Sequence, residues 1–164
     1  MRLLFFLHSL SSGGAERVTS TLANYWAEQG DEVTIVTVAG PDRDFYILHP
    51  GVQRIALNLD QESGTALAAV GNNLRRIRAL RLVLKAQRPD VAIAMMATAN
   101  AILAMAGNGL PVRLIGSERT YPPMLQLGRA WKVIRCWTYP KLDVLVAQTG
   151  KSAQWLLEHI PRCK

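Results

Sequence analysis

Ser11-Ser12-Gly13-Gly14-Ala15-Glu16-Arg17-Val18 joins the apolar run Leu3 to Leu7 to a segment, Ala15 to Gln29, whose apolar residues recur at helical spacing. A strand that ends in a small polar turn and passes straight into a helix leaves the first helical N–H groups unpaired and directed at whatever lies above the strand end. Gly13 and Gly14 lack the Cβ atoms that would block a close approach. In an open α/β sheet this point lies at the carboxyl edge of the strands, where ligands bind. The stretch therefore reads either as an anion-binding loop or as a plain strand-to-helix turn with glycines for geometry. It is not the dinucleotide fingerprint. The G-x-G-x-x-G spacing is absent, and Val38-Ala39-Gly40-Pro41 follows the second apolar run in place of an acidic residue, which disfavours a nicotinamide cofactor.

Outward from this turn, β-branched apolar runs alternate with helical patterns. Arg2–Leu7, Glu32–Val38, Val52–Leu57, Val91–Met95, Val112–Ile115 and Val144–Ala147 read as strands; Ala15–Gln29, Ala66–Gln87, Ala99–Ala106, Met124–Trp137 and Lys151–His159 read as helices. Gly30-Asp31, Pro89-Asp90 and Gly107-Asn108-Gly109 punctuate helix ends and strand starts. Nearly continuous apolar strands between helices predict an α/β fold, a Rossmann-like doubly wound parallel sheet of about six strands covered on both faces. At 164 residues the chain is one domain's worth.

The apolar runs are short and broken by charge, so the sequence presents neither a signal peptide nor a membrane span, and a cytoplasmic location is expected. Cys136 and Cys163 make no spaced metal set, the three histidines are scattered, and no structural metal is expected. Lys and Arg exceed Asp and Glu by seven, which favours anionic partners. Six of the basic residues fall between Leu74 and Arg88 with no acidic one, and Arg78, Arg81, Lys85 and Arg88 recur beside Leu74, Ile77, Leu80 and Leu84. This segment reads as a basic amphipathic helix, either lying on an anionic membrane through those four residues or forming an outer helix with a solvated face. A second basic stretch, Arg119 to Lys141, carries Arg129, Lys132 and Arg135 between Trp131, Trp137 and Tyr139, aromatics that suit a membrane interface or a core. No nucleic-acid motif accompanies the charge.

With these pieces in place the chain resembles, over nearly all its length, the N-terminal half of GT4-type retaining glycosyltransferases of the GT-B fold. The matching pieces are Ser12-Gly13-Gly14-Ala15-Glu16-Arg17-Val18, Thr98-Ala99-Asn100 after the fourth strand, Gly116-Ser117-Glu118-Arg119 after the fifth, and Val146-Ala147-Gln148-Thr149 after the sixth, each at a carboxyl end. The resemblance implies one of two Rossmann-like domains that face each other across a cleft, the acceptor-side one. It also implies that Ser12, Gly13, Gly14, Asn100, Glu118 and Arg119 bind substrate, with Gly13 and Gly14 approaching the donor diphosphate. Glu118 would hydrogen-bond acceptor hydroxyls and is the candidate catalytic group, while Arg119 would clamp a phosphate or position Glu118; an ion pair or helix-start cap is the alternative for both. Glu16 reads first as a structural residue of a helix's first turn, and His8 as a cleft or a packed residue.

Donor sites of that family carry a Glu-x7-Glu pattern in the second domain, and no two of Glu16, Glu28, Glu32, Glu62, Glu118 and Glu158 stand eight apart. Residues 1–160 are thus expected to form the acceptor-side domain, 161–164 to begin a truncated linker, and the donor-binding domain to be absent from these residues. Thr120 stands where relatives carry asparagine. The implied function is transfer of a sugar from a nucleotide-sugar co-substrate to a glycan or lipid-linked acceptor, inactive without a donor half that a separate chain would supply. No further cofactor is expected, and the protein would sit peripherally on the inner face of the cytoplasmic membrane. The other reading is a non-catalytic domain that binds phosphorylated or anionic lipid ligands.

Overall fold

A computed structural model describes residues 1–61, 64–125 and 128–160. Glu62, the linker segment 161–164 with Cys163, and the side chain of Arg129 lie outside the described residues. Six strands form one all-parallel sheet: β1 (Arg2–Leu7), β2 (Glu32–Thr37), β3 (Val52–Ala56), β4 (Val91–Met95), β5 (Arg113–Glu118) and β6 (Val144–Ala147). Their order across the sheet is β3-β2-β1-β4-β5-β6, so the winding reverses between β1 and β4. The helices are α1 (Gly14–Glu28), α2 (Ala66–Gln87), α3 (Ala97–Gly107), α4 (Arg129–Thr138) and α5 (Gly150–His159).

Alternate residues of the central strands enter two separate cores, as the pleat requires. Leu4, Phe6, Val36, Ala92 and Ala94 pack against Leu80 and Leu84 of α2 and Leu103 of α3. Leu3, Phe5, Val33 and Ile35 pack on the other face beneath α1, where Trp26 stacks on Phe5 at 5.7 Å. Helix α3 is apolar on all sides because it is wedged between α2 and α4, and nine of its residues are buried.

Two local differences from the sequence reading bear on the site. Strand β5 continues through Ser117 and Glu118, which pair with Val146 and Ala147 of β6, whereas the apolar pattern ends at Ile115 and leaves Gly116 to Arg119 as a loop. The pairing partner, and not local hydrophobicity, extends the strand. The helix expected from Met124 is replaced by a 3-10 turn, Pro122–Met124, and α4 starts only after Gly128.

Candidate functional site

The reversal between β1 and β4 opens a cleft at the carboxyl edge, bordered by the N-termini of α1 and α3. The helices differ in how they begin. Thr65 Oγ1 accepts from Ala68 N–H at 3.2 Å in α2, and Thr149 Oγ1 from Ser152 N–H at 3.1 Å in α5. The capping positions of α1 and α3 are Gly13 and Met96, and neither side chain caps its helix. The two helix starts at the crevice therefore keep free backbone donors. Met96 holds φ at 81°, a conformation unusual for a residue with a side chain, with its N–H donated to the Ser117 carbonyl at 3.0 Å.

One cavity of about 420 Å³ in this cleft is lined by Gly14 to Val18, Met96, Arg119 and Gln148. Arg17 is exposed at its mouth. With the Gln148 amide oriented to suit its neighbours, Nε2 donates to the Arg119 carbonyl at 2.7 Å and Oε1 accepts from Arg119 Nη2 at 3.3 Å. The Glu16 side chain folds back against Gly13, where a Cβ would collide with its carboxylate. Arg17, Arg119 and an uncapped helix start face one space together with the Glu16 carboxylate, a net positive arrangement that favours a phosphate group.

A second cavity of about 350 Å³ adjoins the carboxyl ends of β1 and β2. Phe6, Val38 and Ile102 give it an apolar lining, Trp131 an aromatic one, and His8, Asn73, Arg76 and Thr98 polar groups. Arg76 is fixed there by Nε–H donation to the Leu59 carbonyl at 2.8 Å and by Nη1 donation to Asn73 Oδ1 at 3.3 Å. An aromatic surface surrounded by planar hydrogen-bonding groups suits a sugar ring.

Glu118 and Asn100 lie elsewhere. Glu118 is 2% exposed and Asn100 fully buried, on the α3 side of the sheet. Tyr139 donates its hydroxyl hydrogen to Glu118 Oε1. Asn100 Nδ2 donates to Tyr139 Oη at 3.4 Å, and Asn100 Oδ1 accepts from Ser117 N–H at 3.1 Å. Arg135, 5% exposed, stands over the Trp155 ring at 4.9 Å, and its Nε and Nη1 have no partner among the described residues. Burial pushes the Glu118 carboxyl above the usual glutamate value, opposed by the Tyr139 hydrogen bond and the Arg135 charge; burial also raises the Tyr139 hydroxyl.

The six candidate substrate residues therefore divide. Gly14 and Arg119 line the cleft, Gly13 and the exposed Ser12 form the turn beside it, and Asn100 and Glu118 sit in the buried cluster beneath. Strand alternation separates Glu118 from Arg119: consecutive residues leave a strand on opposite faces. Sequence reasoning passed over Asn73, Arg76 and Met96, which no spacing marks, and saw Tyr139 and Arg135 only as part of a basic-aromatic stretch. Tyr139 lies 21 positions from Glu118, and only the fold brings them together.

Of the four basic residues singled out above, Arg78, Arg81 and Lys85 lie in α2 and Arg88 is its left-handed C-cap; Arg78, Lys85 and Arg88 are exposed, together with Leu67, Val70, Leu74 and Leu82 of α2. Arg81 is turned inward: its Nη1 donates to the carbonyls of Ala106 and Asn108 at 2.7 and 2.9 Å, closing the end of α3. No helix among the described residues is long and apolar enough to cross a membrane, and no cluster of three His, Cys, Asp or Glu is set to hold a metal.

The profile of the family described as Glycosyl transferase 4-like domain matches residues 13–162. The chain is 32% identical over 146 residues to the GalNAc-alpha-(1->4)-GalNAc-alpha-(1->3)-diNAcBac-PP-undecaprenol alpha-1,4-N-acetyl-D-galactosaminyltransferase of Campylobacter jejuni subsp. jejuni serotype O:2, a match that takes in 88% of this chain and 39% of that protein. Sucrose-phosphate synthase from Thermosynechococcus elongatus superposes with a TM-score of 0.76 at 9% identity, over 98% of this chain and 45% of that one. The lipopolysaccharide outer core galactosyltransferase WaaB, in its apo form, gives 0.71 at 13% identity, over 97% and 42%. The chain thus spans less than half the length of each of these proteins.

Proposed function

The chain belongs to the glycosyl transferase 4-like domain family, and from that premise we propose that it is the acceptor-side domain of an enzyme that moves a sugar from a nucleotide-sugar to a lipid-linked glycan. The observation that carries this reading is the pairing of two spaces at the carboxyl edge. The cavity with Gly14, Arg17, Arg119 and Gln148 offers hydrogen-bond donors to a phosphate, and the cavity with Trp131, Arg76, Asn73 and His8 offers a stacking surface and polar groups to a sugar. Transfer builds charge on the departing diphosphate, and preorganised N–H groups and guanidinium groups lower the energy of that charge. No metal or resident cofactor is invoked; the nucleotide-sugar is a co-substrate.

These 164 residues carry no Glu-x7-Glu pattern, so turnover is proposed to need a donor-binding domain beyond them. The purified chain should show no sugar-nucleotide turnover, and a rate typical of enzymes would refute that. Binding is tested by titrating a short glycosyl pyrophosphate while following tryptophan fluorescence. A saturable change, weakened in Arg119→Ala and in Arg76→Ala, supports the reading; an unchanged signal in the wild type removes it.

A lipid-linked acceptor places the enzyme at a membrane surface, and we assign that contact to the outer face of α2. Arg78, Lys85 and Arg88 would meet anionic headgroups while Leu67, Val70, Leu74 and Leu82 enter the interface, on a cytoplasmic leaflet. Arg81 has no part in it. Flotation with phosphatidylglycerol vesicles, absent with phosphatidylcholine and lost in Arg78→Glu/Lys85→Glu, is the expected result; equal flotation with both lipids would count against it.

A further inference from the structure

The buried cluster under the cleft is not explained by contact with substrate, since Glu118, Tyr139, Asn100 and Arg135 are all at least 95% buried. A buried carboxyl and a buried guanidinium whose Nε and Nη1 have no partner among the described residues also contribute little to stability, because both lose their hydration, and apolar residues of the same volume often hold a fold better. What the cluster does accomplish is connection. Its members come from α3 (Asn100), the end of β5 (Glu118), and the continuous segment of α4 (Arg135) and the turn Tyr139–Lys141 that leads to β6, three pieces distant in sequence. Glu118 directly precedes Arg119, and Ser117, whose N–H is held by Asn100, gives its carbonyl to the N–H of Met96. Arg119 and Met96 both line the cavity at the start of α1.

We propose that Glu118, with Tyr139 and Asn100, is a positioning residue that sets Arg119 in the cleft, and that it does not itself touch substrate. The inference rests on reading that cleft as an anion site. The strand pleat makes the linkage rigid: anchoring the 118 side chain on the α3 side fixes the direction in which residue 119 leaves on the other. Gln148, just past β6, then holds Arg119, so the guanidinium is oriented from below by the cluster and from the side by the amide. Arg135, over the Trp155 ring, adds positive charge that favours the ionised acceptor at position 118 for the Tyr139 hydroxyl.

The test uses the 164-residue chain, with inorganic pyrophosphate as the probe and hydrogen exchange as a second measurement. Tyr139→Phe removes the donor and leaves the carboxyl without it, whereas Glu118→Gln keeps an acceptor oxygen at the same place. The expected result is a pyrophosphate affinity reduced about fivefold in Tyr139→Phe, the size of one hydrogen bond, and close to wild type in Glu118→Gln. Amide exchange at residues 118–120 should rise about tenfold in Tyr139→Phe while α1 and α2 keep wild-type protection. A Tyr139→Phe protein with a lowered Tm, evenly faster exchange and wild-type affinity would overturn the proposal and leave the cluster a packing feature. If the wild type does not bind pyrophosphate, the anion-site reading falls, and the exchange pattern at residues 118–120 still decides whether the cluster positions the loop.

Discussion

The hydroxyl of Tyr46, in the loop that follows β2, donates to the main-chain carbonyl of Gly13 at 3.0 Å, tying the glycine turn to a segment 33 residues away. Gly13 is extended, with φ at −140°, a geometry open to any residue, so the turn's shape is held by this bond and by its own backbone more than by glycine's conformational freedom. Tyr46→Phe should lower stability by about 1 kcal/mol in a urea titration and weaken pyrophosphate binding. Unchanged affinity would mean the turn is held without Tyr46.

Gly14 tests whether the second glycine serves folding or access. It lies in the first turn of α1, and a Cβ there meets nothing within 4 Å. Gly14→Ala should therefore leave stability unchanged or raise it by up to about 1 kcal/mol, since alanine is the better helix former, while placing a methyl group in the cavity and reducing anion affinity. A variant that binds as tightly as wild type would show that no ligand comes close to this backbone.

Glu118 makes stability depend on pH in a stated direction. Burial raises its carboxyl above the ordinary value of 4.5, so the folded chain keeps this proton to higher pH than the unfolded chain does. The resulting stabilisation is fully present below the ordinary value and is lost as pH rises through the folded value. Urea midpoints measured from about pH 4 to 8 should fall with pH more in wild type than in Glu118→Gln, which lacks the titrating group. Parallel curves would mean that Glu118 titrates as an ordinary carboxylate.

Gly116 is required for space. A Cβ there would stand 2.7 Å from Leu142 Cδ1, 3.0 Å from Leu145 Cδ1 and 3.2 Å from Asn100 Cγ. Gly116→Ala should cost about 1–3 kcal/mol by denaturant titration, as overpacking of a closed core does. The displaced Asn100 would also disturb its bond to Ser117, so Met96 and Arg119 amides should shift in an NMR spectrum. A stability change within about 0.5 kcal/mol would show that the leucines move aside at little cost.

Most of the fold was legible along the chain. The runs at Val91–Met95 and Val144–Ala147 and the helix Ala66–Gln87 stand where period and punctuation put them, because hydrophobic period and turn residues act locally. The turn at Gly13-Gly14 was legible as a helix start at a sheet edge for the same reason, and Arg119 as a cleft residue through the family resemblance. Arg76 and Asn73 were not, because a polar residue on a helix looks the same in sequence whether it faces solvent or a cavity wall.

The chain's local pattern by itself determined the alternation of strands and helices, the parallel sheet and the loop that starts α1, since hydrophobic period and glycine placement act over a few residues. The tertiary structure alone decided the fate of Glu118. Sequence places it in a loop beside Arg119, both available to a ligand; pairing with β6 extends β5 through it, and the pleat turns it inward to Tyr139 while sending Arg119 to the cleft. Which face a residue takes at a strand's end depends on the neighbouring strand's hydrogen bonds, and that neighbour, Val144–Ala147, comes from a distant part of the chain.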